Sequence, residues 1–178
     1  MNGQSVEMRF VGAAGAVWGI GGVALLIGSA VYRLGHVAID AFSYPFDWRH
    51  WLFLAVFFVF MTAGEGYQGF QRGFSPRVAA RARYLARHPR VTHVLFAPLF
   101  CMGFFHATPR RQVTSILVTI GIIVMVLLVR RLSQPWRGII DLGVAAGLIW
   151  GLIALGVFSY AAFAQDSFAQ PTDIPGCV

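Results

Sequence analysis

Long apolar blocks alternate with short polar links along the chain. Five blocks stand out, at about 10–32, 50–71, 91–108, 112–130 and 138–163. A helix crosses the hydrocarbon core of a bilayer with roughly 20 apolar residues. The pattern therefore predicts an all-α protein, a polytopic transmembrane helix bundle of five spans within a single domain over residues 1–163. The third block is the shortest, contains Pro98 and has a histidine near each end, His93 and His106. Four spans with a re-entrant 91–108 is the alternative, since irregular backbone is tolerated at membrane depth when protein buries it. The fourth block has almost no small or polar residue and is expected to face lipid. Residues 164–178 are polar, hold two prolines, and are expected to be disordered.

The link after the second block has a pattern of its own. Ser75 suits an N-cap and Pro76 the first helical position, while Pro89 disfavours helix at His88. Over 76–88, Val78, Ala79, Ala82, Leu85 and Ala86 share one face of a helical wheel. Arg77, Arg81, Arg83 and Arg87 share the other. This predicts a short basic amphipathic helix on the inner membrane surface, its arginines contacting anionic lipid headgroups.

Composition strengthens the membrane reading. Of 178 residues, 57% are hydrophobic and 12% charged, where a soluble domain carries about 25% charged. The first block exceeds the roughly 7–15 residues of a signal-peptide core, and its leader pairs Glu7 with Arg9, so a retained span is expected. The net charge is +7 and all 14 basic residues are arginine. Arginine sits in the links, which the positive-inside rule explains better than nucleic-acid binding. With five spans, ten arginines (9, 72, 77, 81, 83, 87, 90, 130, 131 and 137) share the side of the N-terminus. Four (33, 49, 110 and 111) face the other side. The N-terminus is then cytoplasmic and the C-terminus outside. Arginine without lysine fits GC-rich coding, so a bacterial inner (plasma) membrane is expected.

Small residues form two stripes. Gly12, Gly15, Gly19, Gly22 and Ser29 lie near one face of the first span, and Gly143, Gly147 and Gly151 recur every four residues in the last. Such stripes let helices approach closely. Packing within the bundle is preferred here to a homo-oligomer seam, although a homo-oligomer or larger membrane complex remains an open expectation.

Candidate chemistry falls into two groups. Glu65 ends an apolar run, and Glu65, Gln68 and Arg72 are spaced to form one stripe of an α-helix. A carboxylate inside a membrane segment seeks a partner. The preferred reading pairs Glu65 with Arg72. The sharper one is a proton or cation site in which Glu65 titrates and His93 or Asp141 relays. On the outer side, His36, Asp40, Asp47, His50 and His106 are possible ligands for zinc, copper or iron, though their spacing matches no metal motif. His93 and His106 point about 140° apart on one helix, so one haem cannot use both. Cys101 and Cys177 suggest neither a disulfide framework nor a metal motif. No phosphate-binding loop, dinucleotide fingerprint, zincin helix or nucleophile elbow is present. No cofactor is assigned. The expected function is a non-enzymatic accessory subunit or compact oligomeric transporter or channel. The competing reading is a membrane-embedded metal-dependent enzyme or redox protein using the outer His/Asp cluster.

Overall fold

The apolar blocks fold into four helices long and apolar enough to cross a membrane, seen in a computed structural model of the chain. It describes residues 3–165, 168, 170 and 172–174, with backbone alone for 3–6 and 9. Every element among the described residues is helical: α1 (Gly3–Ala41), α2 (Trp48–Met61), a π-helical segment (Thr62–Phe74), α3 (Ser75–Arg87), α4 (Val91–Leu95), α5 (Ala97–Met102), α6 (Pro109–Val129) and α7 (Trp136–Ala164). The four long helices are Phe10–Ala41, Trp48–Arg87, Pro109–Val129 and Trp136–Ala164. With 21 residues, α6 is about 31 Å long, which matches a hydrocarbon core of about 30 Å.

Three sequence expectations change. The helix of the first block continues to Ala41, so His36 and Asp40 ride on a helix rather than a loop. The segment 91–108 is not one helix. It forms two turns of helix broken at Phe96 (φ −102°, ψ 33°) and closed by Gly103 at φ +84°, a left-handed C-cap that glycine adopts without strain. The basic helix 76–88 is also not a separate element. Residues Trp48–Arg87 are one continuous helix of 40 residues, passing from α2 through the π segment into α3. Ser75 is no cap, because Phe74 before it already has helical angles, φ −78° and ψ −55°. Pro76 offers no N–H where the winding returns from i→i+5 to i→i+4 bonding. The helix does stop at Arg87, ahead of Pro89.

The π segment, TAGEGYQGFQRGF, carries four glycines. A Cβ on Gly69 would stand 3.6 Å from the Gly64 carbonyl, and one on Gly73 3.5 Å from that of Gln68. Each oxygen belongs to the residue five positions back, as expected of i→i+5 winding.

Contacts divide the chain into two compact units. Unit 1 comprises residues 1–25, 74–117 and 155–178, and unit 2 comprises 26–73 and 118–154. In unit 1 the core is Val78, Ala79, Ala82 and Leu85 of α3 with Ala97 and Phe100 of α5, joined by Val23 and Leu155. The α1 glycines are covered within this unit. Gly12 meets the Ala86 carbonyl, Gly15 meets Val94 and Leu85, Gly19 meets Cys101 and Ala97, and Gly22 meets Pro98. In unit 2 the α7 glycines are covered likewise: Gly143 by Phe57, Gly147 by Met61 and Glu65, Gly151 by Phe70. Both stripes serve packing inside the chain. Along α6 the large apolar side chains of 116–128 are exposed, in keeping with a helix bathed in lipid.

Beyond α7, the described residues Asp173 and Ile174 make contacts within unit 1. Thr108 donates its N–H to the Asp173 carbonyl at 2.9 Å, and Ile174 is buried. Residues 166, 167, 169, 171 and 175–178, with Cys177, lie outside the described residues.

Candidate functional site

The basic face of α3 builds the most polar site in unit 1. Arg81 was grouped with the lipid-facing arginines, yet it is 2% exposed. Its Nε donates to the Phe100 carbonyl at 2.6 Å, Nη1 to Thr172 at 2.9 Å, and Nη2 to Phe105 at 3.0 Å and His106 at 3.1 Å. The guanidinium carbon lies 4.3 Å from the centroid of the Phe100 ring. The reason is geometric. Arg81 is three residues after Val78 and four before Leu85, both fully buried, so it shares their face. Its planar fork adds a donor to the Phe100 carbonyl, which also accepts the Gly103 N–H at 3.0 Å, and reaches carbonyls in the 103–108 loop and in the tail.

The other three arginines of this row have different surroundings. Arg77 pairs with Asp173 at 3.6 Å. Arg83 and Arg87, with Tyr84 and His88, line a pocket of about 200 Å³ whose other wall is the tail at Phe168, Gln170 and Thr172. The Tyr84 and His88 rings stack at 4.7 Å.

Each proton-site candidate has contacts of its own. Glu65 is half-buried against Gly147, its Oε2 3.7 Å from where a Gly147 Cβ would stand. Gln68 is exposed. Arg72 lays its guanidinium over the Tyr67 ring at 4.9 Å. His93 belongs to unit 1, where it is buried, stacks on Phe100 at 4.6 Å, and has no hydrogen-bond partner for Nδ1. Asp141 is buried in the first turns of α7 and faces Arg137 four residues earlier at 3.7 Å. Among the described residues of unit 2 no ion pair or hydrogen bond links Glu65 to Arg72 or Asp141. The predicted Glu65–Gln68–Arg72 stripe assumed α winding. With i→i+5 bonding the turn is wider than 3.6 residues, so a seven-residue step no longer returns to the same face.

The outer metal cluster is not assembled either. His36 meets the Tyr32 ring edge-on at 4.6 Å. His50 accepts the Asp47 N–H on Nδ1 at 3.0 Å and rests against Trp136 at 4.5 Å, so it closes the start of α2. Asp40 is exposed at the end of α1. His106 lies in unit 1 with its ring 4.7 Å from His93. No group of three or more His, Cys, Asp or Glu side chains able to hold a metal ion occurs among the described residues.

Two polar braces went unnoticed in the sequence. Gln134 donates from Nε2 to the Val37 carbonyl at 3.2 Å and accepts the Gly138 N–H at 3.0 Å. Trp150 donates to Gln71 Oε1 at 2.8 Å. Glutamines beside membrane segments are a weak signal alone, and only the tertiary pairing makes these two informative.

No protein-family model, curated protein or solved structure matches the chain.

Proposed function

We propose that the protein is a non-enzymatic accessory subunit of a membrane assembly, built as four spans with 91–108 folded back into one membrane face. One observation supports the non-enzymatic reading: several polar side chains within the helical framework are engaged in holding backbone. Arg81 grips four carbonyls, His50 closes the start of α2, and Gln134 braces Val37 and Gly138. Burying such groups is costly unless they are bonded, and here the bonds contribute to the fold. The membrane supplies the remaining cover, along α6 above all.

The four-span topology is supported by what the tail touches. A five-span chain has Arg77 and Arg81 inside and Asp173 outside, a bilayer apart. Yet Asp173 lies 3.6 Å from Arg77, and Thr172 accepts from Arg81 at 2.9 Å. The arginine count accommodates this. Four spans give nine arginines (9, 72, 77, 81, 83, 87, 90, 110 and 111) on the side of the Arg9 end and five (33, 49, 130, 131 and 137) on the other. The positive-inside rule then puts both ends of the bundle in the cytoplasm, in keeping with a bacterial cytoplasmic membrane.

Two measurements test this reading. Topology reporters after residues 45, 88, 109 and 174 should report outside, inside, inside and inside. A reporter after 109 opposite in sense to that after 88 restores five spans. The purified protein should show no haem absorption band and no stoichiometric iron, copper or zinc. A stoichiometric metal overturns the non-enzymatic reading.

A further inference from the structure

We propose that His93 and His106 make the segment 91–108 an acid-sensitive latch over α1, closed while both imidazoles are neutral and released when they take up protons. The two ring centroids stand 4.7 Å apart. His93 is buried, stacks on Phe100 at 4.6 Å, and finds no hydrogen-bond partner for Nδ1 among the described residues. An imidazolium donates from both ring nitrogens. Charged His93 would therefore bury an N–H at Nδ1 with nothing to accept it, which is costly.

The charged groups around His93 are cationic. From α3 comes Arg81, whose guanidinium carbon lies 4.3 Å from the centroid of the same Phe100 ring. Arg90 precedes α4, and the 103–108 loop presents His106. The remaining ring neighbours, Phe100 of α5 and Phe105 of the loop, are uncharged. Asp173 of the tail pairs with Arg77 instead. Burial, with His106, Arg90 and Arg81 as like charges, holds the His93 imidazole below the usual histidine range. An opened, hydrated segment binds the proton more tightly. The closed form is therefore favoured in full above about pH 6.5, the ordinary histidine value, and is progressively less favoured as the pH falls below it.

Release would uncover one face of α1. Val94 covers Gly15, Ala97 and Cys101 cover Gly19, and Pro98 covers Gly22. The Trp18 indole also donates to the Leu95 carbonyl at 3.5 Å. Lifting 91–108 breaks these contacts and exposes the buried Cys101 thiol. All of them lie within unit 1, so the latch stands whether or not the chain serves an assembly.

The test reads Cys101 in the full chain in detergent, with Cys177→Ser so that it is the sole thiol. Dithiodipyridine labels thiols in acid as well as in neutral solution. Its rate at each pH is divided by that for the urea-unfolded chain at the same pH, which removes the thiol's own titration. The ratio should rise at least about fivefold from about pH 8 to about pH 5, values that bracket the ordinary histidine range. His93→Phe keeps a ring against Phe100 and should abolish the rise. His106→Gln and Arg90→Gln, both at exposed positions, each remove a like charge and should make the rise smaller. Arg130→Gln, in unit 2, should leave it unchanged. A flat ratio in the parent chain overturns the proposal. So does a full rise in His93→Phe, or an equal reduction in Arg130→Gln. If His93→Phe does not fold, a full rise in both His106→Gln and Arg90→Gln overturns it.

Discussion

Units 1 and 2 use the same raw material, glycine-bearing helices, but close around it differently. In unit 1 the α1 glycines are covered by backbone and short side chains: the Ala86 carbonyl, Ala97, Cys101 and Pro98. The covering segment, 91–108, is two short helices and a loop, and such breaks leave carbonyls without helical partners. One buried arginine supplies the missing donors. In unit 2 the α7 glycines meet a continuous helix, Gly143 at the Phe57 ring, Gly151 at the Phe70 ring, and Gly147 at the Met61 carbonyl and Glu65. That helix satisfies most of its own backbone, and rings fill the remaining space, as in the stack of Phe53 on Phe57 at 5.4 Å. Close packing of irregular chain therefore needs a dedicated polar hub, whereas close packing of regular helix needs volume.

The largest expected effect strikes the hub. Arg81→Gln removes the fork and takes the donor from the part-buried carbonyls of Phe105, His106 and Thr172, and it should destabilise the protein by about 3 kcal/mol. Arg81→Lys should recover little, since an ammonium cannot reach four carbonyls from one plane. Reversible unfolding in mixed detergent micelles measures both. A cost of Arg81→Gln below about 1 kcal/mol would mean that the irregular segment of unit 1 does not depend on a hub.

A smaller effect separates the two kinds of cover. Gly12→Ala drives a methyl against the Ala86 backbone, which cannot turn aside, and should cost about 1–3 kcal/mol. Gly147→Ala meets the Met61 carbonyl at 3.3 Å and the Glu65 Cβ at 3.4 Å, a contact relieved by a shift of a few tenths of an ångström. It should cost less than about 1 kcal/mol. Gly21→Ala faces open space and should be neutral or stabilise by about 0.5–1 kcal/mol. If Gly12→Ala and Gly147→Ala cost the same, closeness of approach does not set the cost.

Much of the helical framework was legible in the sequence, because apolar block length reports membrane-crossing helices directly. The small-residue stripes were legible for the same reason: glycine recurrence every three or four residues has few uses in a bilayer except close approach. Arg81 was readable and misread. Counting charge assigned it to the polar face, while its spacing from Val78 and Leu85 assigned it to the buried one. The preference for five spans over four rested on ten arginines against four, where the alternative gives nine against five, a difference of one residue. The proposed four-span reading draws on long-range contact, such as Thr172 and Asp173 against α3, and no local pattern encodes it. The π winding of 62–74 was hidden as well. Its glycines signal a permissive backbone, but periodicity arguments presuppose a winding and cannot reveal a change of it.

That winding makes the last and smallest prediction. If 62–74 were an ordinary α-helix, Glu65 and Arg72 would lie on one face two turns apart, and pairing would couple them by roughly 0.5 kcal/mol or more. In the π segment Arg72 instead covers the Tyr67 ring at 4.9 Å, while Glu65 packs against Gly147. A double-mutant cycle of Glu65→Gln and Arg72→Gln, read by unfolding in detergent, should give coupling below about 0.3 kcal/mol, as for residues with no shared partner. A parallel cycle of Tyr67→Leu with Arg72→Gln should give about 0.5–1 kcal/mol, the range for a cation over an exposed ring. The two cycles share one arginine, so their order is independent of how that residue affects the unfolded state. A reversed order would mean that the segment winds as an α-helix. Glu65 would then be the ionic partner its spacing first suggested, and unit 2 would hold a charged contact of its own beside its rings.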